Sequence, residues 1–244
     1  MERFAEINEM PNVLQYPPNM KGRWAEHFGN ANAITLELAC GKGEYTVGLA
    51  EMYTDRNFIG VDLKGNRIWV GAKKALKDKL KNAAFLRTHI DMIAEYFAPQ
   101  EVAEIWITFP DPHLRNSKAK KRLTHPIFLR KYQKILQKNG LIHLKTDSPN
   151  LYAFTKLVID LYGLNLLTDE ADVYGNPEMP KELTAIQTHY EKMDIARSNK
   201  VHYLCFQINK ELPEELDVEL KNKVFELFAS AEDRATIEKD FSQK

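Results

Sequence analysis

The residues able to do chemistry gather just past three apolar segments. Leu36-Glu37-Leu38-Ala39-Cys40-Gly41-Lys42-Gly43-Glu44-Tyr45 starts as a strand and opens a helix, so Gly41 and Gly43 allow a tight turn that a ligand can approach closely. Phe58-Ile59-Gly60-Val61-Asp62 is a strand ending in an acid 19 positions after Gly43. A carboxylate there accepts both ribose hydroxyls of an adenosine-type ligand. The third glycine of the dinucleotide fingerprint is missing, since Gly48 comes too late, and no helix start for a pyrophosphate is spelled out. Glu37 is unhelpful beside a pyrophosphate but suits an ammonium group. Adenosine joined to a cationic amino acid describes S-adenosylmethionine. The plainer readings are a surface-end carboxylate at Glu37 and a helix N-cap at Asp62 ahead of Lys64–Ala72.

The third segment, Ala103 to Phe109, has a buried-strand pattern and runs into Pro110-Asp111-Pro112. Two prolines fix the backbone on either side of one carboxylate. Asp111 is therefore held at the carboxyl end of a central strand, where open α/β sheets bind ligands. A turn-capping aspartate is the competing reading. Cys40 inside the glycine turn could be a nucleophile, but no adjacent base is evident, and a small buried residue is expected instead.

Alternating elements must position these groups. Strands are predicted at Ile34–Ala39, Asn57–Val61, Ala84–Arg87, Ile105–Phe109 and Gly140–Lys145, with Asn165–Thr168 and Val201–Ile208 closing the sheet. Helices are predicted over Tyr45–Met52, Arg67–Leu80, Pro126–Gln137 and Asn150–Leu161, with a short one near Ile90–Phe97. This alternation argues an α/β fold with a doubly wound, mostly parallel, seven-stranded sheet and helices on both faces. Residues 1–32 read as an irregular, proline- and asparagine-rich arm, 33–209 as the core of a single domain, and 210–244 as an acidic, surface-helical extension. Asp169–Asn199 is the least patterned stretch.

The 244 residues carry 34 Lys+Arg and 34 Asp+Glu, which excludes a uniformly basic nucleic-acid binder. The charge is segregated, however. From His113 to Lys145 ten cations (Arg115, Lys118, Lys120, Lys121, Arg122, Arg130, Lys131, Lys134, Lys138 and Lys145) occur with no acid between them. Such a run is either a solvated helix face or a surface for phosphates, and its place after a strand end favours phosphates. Two cysteines are too few for a disulfide framework or a cysteine zinc site, and no metal is expected. No signal-peptide layout and no membrane-length apolar run is present, so a cytoplasmic protein is expected, as a monomer or homodimer without membrane partners.

Phe109-Pro-Asp-Pro112, Lys120-Lys-Arg-Leu123, Lys145-Thr-Asp147 and Thr188-His-Tyr-Glu191 follow one another in this order after Leu36-Glu-Leu and Gly60-Val-Asp62. The ordered set resembles the bacterial tRNA (guanine-N7)-methyltransferase family across roughly residues 30–208. The resemblance implies a Rossmann-like methyltransferase sheet, S-adenosylmethionine as donor, and tRNA as partner, with the variable-loop guanosine at position 46 as target. It assigns Glu37 and Asp62, with the turn glycines Gly41 and Gly43, to the donor. A third donor contact falls on His89, with Asp91 as the competing choice. Asp111 becomes the catalytic and donor-proximal residue, Arg115 a substrate contact, and Asp147, Thr188 and Glu191 substrate-binding positions. The family often has a glycine-containing stretch after the Thr-x-x-Glu motif, where this chain reads Lys192 to Lys200 without glycine. An exocyclic-amine methyltransferase and a non-catalytic RNA binder with a relic donor fold are the rivals. A nicotinamide enzyme is disfavoured by the missing glycine and by Glu37.

Overall fold

A computed structural model describes residues 6–193 and 199–228 of the chain. Eight strands form one sheet: β1 Val13–Gln15, β2 Ile34–Leu38, β3 Asn57–Asp62, β4 Ala83–Arg87, β5 Val102–Thr108, β6 Leu136–Thr146, β7 Asn165–Glu170 and β8 His202–Gln207. Their spatial order is β1-β4-β3-β2-β5-β6-β8-β7. The first six run parallel, and β8 lies antiparallel between β6 and β7. The chain steps outward from β2 to β4, then crosses back to β5 on the other side of β2. That reversal makes the carboxyl ends of β2 and β5 a topological switch point, where open α/β sheets leave a crevice.

Alternation along the strands sorts residues between two layers. Leu36, Leu38, Ile59, Val61, Ile105 and Ile107 face a core covered by α1 Trp24–Phe28, α4 Pro126–Gln133, α5 Pro149–Tyr162 and α7 Leu216–Phe228. Phe58, Phe85 and Trp106 face the opposite core, under α2 Glu44–Met52, α3 Gly65–Lys77 and the short α6 Lys181–Thr184. Local chemistry starts and stops the helices. Ser148 Oγ accepts the Leu151 N–H at 3.3 Å with Pro149 in the first helical turn, and α5 ends where Gly163 turns left-handed at φ +57°.

The structure departs from the sequence reading in three places. The sheet has eight strands, not seven, because part of the arm expected to be irregular adds β1 alongside β4. A second part of the arm docks through one residue. Trp24 is fully buried, stacks on Phe97 at 5.1 Å, and donates its indole N–H to the Tyr96 carbonyl at 2.9 Å. Burying one such ring stabilises by roughly 2–3 kcal/mol, enough to fix a short segment. The helix expected to reach Gln137 ends at Gln133, because Leu136 already pairs with Val102 in the sheet. The extension is more than a surface helix. Leu212, Leu220 and Val224 enter the core, and Arg130 ties the helix down through Asp217 at 2.6 Å and the Leu212 carbonyl at 2.8 Å. Residues 1–5 of the arm, 194–198 of the glycine-free stretch and 229–244 of the extension lie outside the described residues. Among the described residues no helix is long and apolar enough to cross a membrane.

Candidate active site

The glycine turn links β2 to α2 in a conformation that only small side chains tolerate. Ala39, Gly41 and Gly43 all have positive φ, at +56°, +55° and +72°. A Cβ on Gly43 would lie 2.5 Å from the Phe85 ring, so the turn sits directly on the sheet. Asp62, at the end of β3, fastens it. One carboxylate oxygen accepts the Gly41 N–H at 3.0 Å, and the other accepts the Lys64 N–H at 2.8 Å. Asp62 is therefore not the N-cap of α3, a position that Lys64 takes without a side-chain cap; it closes the turn before that helix. A carboxylate has about four acceptor sites, so two remain for a ligand.

Glu37 is a buried floor group, not a surface-end carboxylate. Oε2 accepts the Thr46 backbone N–H at 2.7 Å and the Thr46 hydroxyl at 2.6 Å, and Oε1 accepts the Thr108 hydroxyl at 3.1 Å. Burial pushes its pKa up to about 7, against the hydrogen bonds that hold it down. Three donors leave room on the carboxylate for one cationic hydrogen. Burial, and then the nearby Glu37 and Asp62 carboxylates, push the Cys40 thiol well above its ordinary range, which removes it as a nucleophile.

The neighbourhood fits an adenosine-type ligand on a further observation. The buried Thr88 hydroxyl, just past β4, has no hydrogen-bond partner among the described residues. Its backbone N–H donates to the Asp62 carbonyl at 3.1 Å, so the orphan hydroxyl stands beside the acid that would face a ribose. Leu63 follows Asp62 with its side chain partly exposed, offering an apolar rim. His89 is exposed at the same edge, whereas Asp91 is turned away to Lys131 Nζ at 2.8 Å. That ion pair favours His89 of the two choices.

Asp111 emerges from β5 on a strained loop. Phe109 and His113, on either side of Pro-Asp-Pro, both have positive φ, at +46° and +44°. Backbone strain of this kind costs on the order of 1–3 kcal/mol per residue and persists where the surroundings over-determine it. Here the surroundings include Arg122. Its guanidinium donates to the carbonyls of Pro112 at 3.1 Å, His113 at 3.1 Å and Leu114 at 3.5 Å, and lies over the Phe154 ring at 4.4 Å. The Asp111 side chain is 73% exposed and accepts the His113 N–H at 2.9 Å. It caps the turn and still presents its carboxylate outward.

The ten-cation run divides in three. Arg122, Arg130, Lys131 and Lys145 are committed inside the protein, Arg122 and Lys145 with no exposure at all. Lys134 and Lys138 lie at the start of β6, away from the carboxyl edge. Arg115, Lys118, Lys120 and Lys121 remain, exposed on the loop that follows Asp111. Asp147, half-buried, sits just past the carboxyl end of β6.

Thr188 and Glu191 form a reciprocal capping box. The Glu191 N–H donates to the Thr188 hydroxyl at 3.0 Å, and the Thr188 N–H donates to the Glu191 carboxylate at 3.2 Å. The spacing of Thr-x-x-Glu already signals this in the sequence. The box lies against the glycine turn, where the His189 N–H donates to Glu44 at 3.2 Å and the Tyr190 ring stands next to Gly41 and Arg67. Glu191 pairs with Lys145 Nζ at 2.9 Å. An open groove lined by Lys42, Val47, Gly48, Met52, Gly71 and Ile186 runs along the outer flank of the turn and touches none of Glu37, Asp62 or Asp111.

A family model described as "Putative methyltransferase" matches residues 31–204. Among curated proteins, the tRNA (guanine-N(7)-)-methyltransferase of Bacteroides thetaiotaomicron is 42% identical over 91% of this chain and 90% of its own length. That of Porphyromonas gingivalis is 45% identical over 86% and 87%, and that of Christiangramia forsetii 44% over 85% and 97%. Solved structures share the fold at low identity. The 16S rRNA methyltransferase KamB has a TM-score of 0.55 at 14% identity, covering 80% of this chain and 97% of that one. A 30S ribosomal A1408 methyltransferase from an uncultured bacterium has 0.54 at 16%, covering 75% and 91%. On the matched length and identity, this chain belongs to the tRNA (guanine-N(7)-)-methyltransferase family.

Proposed function

We propose that this protein transfers the methyl group of S-adenosylmethionine to guanine N7 in tRNA, at the variable-loop guanosine of position 46. The observation that carries the reading is the placement of Glu37, Asp62 and Asp111 at the carboxyl ends of three adjacent strands, with the exposed basic loop leading directly away from Asp111. When bound, S-adenosylmethionine supplies an electrophilic sulfonium methyl. Glu37 holds the ammonium group, Asp62 and the Thr88 hydroxyl the ribose, and His89 a further edge of the donor. Guanine N7 has an in-plane lone pair and needs no general base, so the protein's work is alignment and electrostatics. Asp111 accepts hydrogen bonds from the N1–H and exocyclic amine of the guanine and balances the positive charge growing on the purine. Asp147 shares the base side of the site. The guanine is unstacked to reach it. The enzyme acts in the cytoplasm as a monomer or homodimer.

Transfer of labelled methyl to an unmodified tRNA transcript tests this. Label at N7 of the variable-loop guanosine, and none when adenosine stands there, is expected. Equal label on both transcripts would discard the target, and label on an amino nitrogen would discard the N7 chemistry. Phosphate contacts make a second expectation. Changing Lys118, Lys120 and Lys121 to Gln together should flatten the slope of log affinity against log salt by about 2–3, from roughly 0.7–0.9 per lost contact. An unchanged slope would remove this loop from the tRNA interface.

A further inference from the structure

Lys145 opens the Lys145-Thr-Asp147 motif, and its surroundings are unlike those of any other lysine described here. Its side chain has no exposure. Nζ pairs with Glu191 at 2.9 Å and donates to the Leu183 carbonyl at 2.7 Å, with the Ile186 carbonyl and the Tyr174 hydroxyl at 3.4 Å. The ammonium also lies 5.4 Å from the centres of the Tyr45 and Tyr174 rings and 5.5 Å from that of Phe109. Burying an ammonium is costly unless its partners are this complete.

The partners come from both halves of the site. Phe109 is the strained residue that launches Pro110-Asp111-Pro112, and its N–H donates to the Lys145 carbonyl at 2.8 Å. Leu183, Ile186 and Glu191 belong to the 183–191 segment, which has almost no regular structure of its own and ends in the capping box on the glycine turn. The Glu191 carboxylate accepts from Lys145, the Tyr174 hydroxyl and the Thr188 N–H, and its side chain is 6% exposed.

We infer that Lys145 is a positioning residue which, through Glu191, sets the Thr188–Tyr190 segment over the donor turn in register with the Asp111 loop. Glu191 is then the internal half of the device. The inference rests on the methyl-transfer reading and deepens it. Donor and acceptor must meet in line, and a shift of about 1 Å in such an alignment can cost about a hundredfold in rate. A member of the ten-cation run becomes an alignment device.

Lys145→Met keeps the aliphatic stem and removes the charge. The single-turnover rate with both substrates saturating should fall about 30–100-fold, consistent with lost alignment. S-Adenosylmethionine affinity should stay within about threefold, as expected where alignment and not binding is lost. Amide exchange across residues 186–192 should accelerate. The melting temperature should fall too, because Glu191 is left buried and unpaired. Adding Glu191→Gln separates positioning from charge balance: the double variant should recover melting temperature while rate and exchange remain impaired. Recovery of the rate together with stability would reduce Lys145 to a buried counter-charge and overturn the inference, as would a wild-type rate in Lys145→Met. A wild-type enzyme that labels no tRNA would instead overturn the methyl-transfer reading itself, a result independent of the amide-exchange comparison.

Discussion

Replacing Asp111 with alanine should abolish methyl transfer, a loss of about a thousandfold or more, while leaving the fold and the tRNA affinity nearly intact. The asymmetry follows from geometry. The side chain is 73% exposed, and its recorded hydrogen bond is to the His113 N–H at 2.9 Å. Losing one bond on an exposed loop costs about 1 kcal/mol or less. Arg122 and the two prolines hold the loop in place without the carboxylate. What alanine removes is the acceptor for the guanine edge and the negative charge that meets the developing positive charge. Asp111→Asn divides these contributions. Its side-chain oxygen can still cap His113, so melting temperature should match the parent, but the charge is gone and the added amide donors oppose the guanine N–H groups. Both variants should be slow in single turnover with near-parental tRNA binding by filter retention. Near-normal turnover in the alanine variant would sink the assignment.

Much of this site is legible in sequence because it lies at strand ends. Asp62 and Asp111 each follow a run of apolar residues and Glu37 sits near the end of one, and such runs reveal both the strand and its exit point. The misses share one cause, dependence on partners distant in the chain. Three residues of β1 have no periodicity to read, and their strand exists only because β4 offers an open edge. Ile135 and Leu136 satisfy a helix pattern and a strand pattern alike, and pairing with Val102 decides between them. Arg122 and Lys145 look like solvated cations until carbonyls and a carboxylate converge on them, in the case of Lys145 from about 40 positions away. Residues 183–191 look shapeless in the sequence because it is the distant Lys145 that gathers their carbonyls and the Glu191 carboxylate. The same distant contacts hide the burial of Glu37. Neighbouring leucines show that it lies on a strand, but only Thr46 and Thr108 show that it points inward.

That burial gives the Glu37 prediction its sign. An unfolded glutamate titrates near 4.5, and in the folded protein burial raises this to about 7. Below pH 4.5 both states are protonated and the group is neutral for stability. Between pH 4.5 and 7 the unfolded chain loses a proton that the folded chain keeps, so stability falls as pH rises. Above 7 the loss is complete, on the order of 3 kcal/mol. A protein keeps such a group at neutral pH when the charge has a use, and an ammonium ligand is a use that the spare acceptor site permits. Glu37→Gln is close in shape; its amide oxygen can still accept from Thr46, and its amide N–H can donate to the Thr108 hydroxyl. It should therefore be more stable than the parent at pH 8 and equal to it at pH 4, by chemical denaturation. Donor affinity should move the other way. Loss of a charge-assisted bond worth roughly 1.5–3 kcal/mol predicts about 10–100-fold weaker S-adenosylmethionine binding. The parent should also bind donor less tightly as pH drops from 7.5 to 5.5, because protons compete for the carboxylate, whereas the glutamine variant should lose that dependence. Calorimetric titration over this range decides the matter. Equal donor affinity in the two proteins would mean that Glu37 is a buried strut for the glycine turn and that the ammonium is held elsewhere.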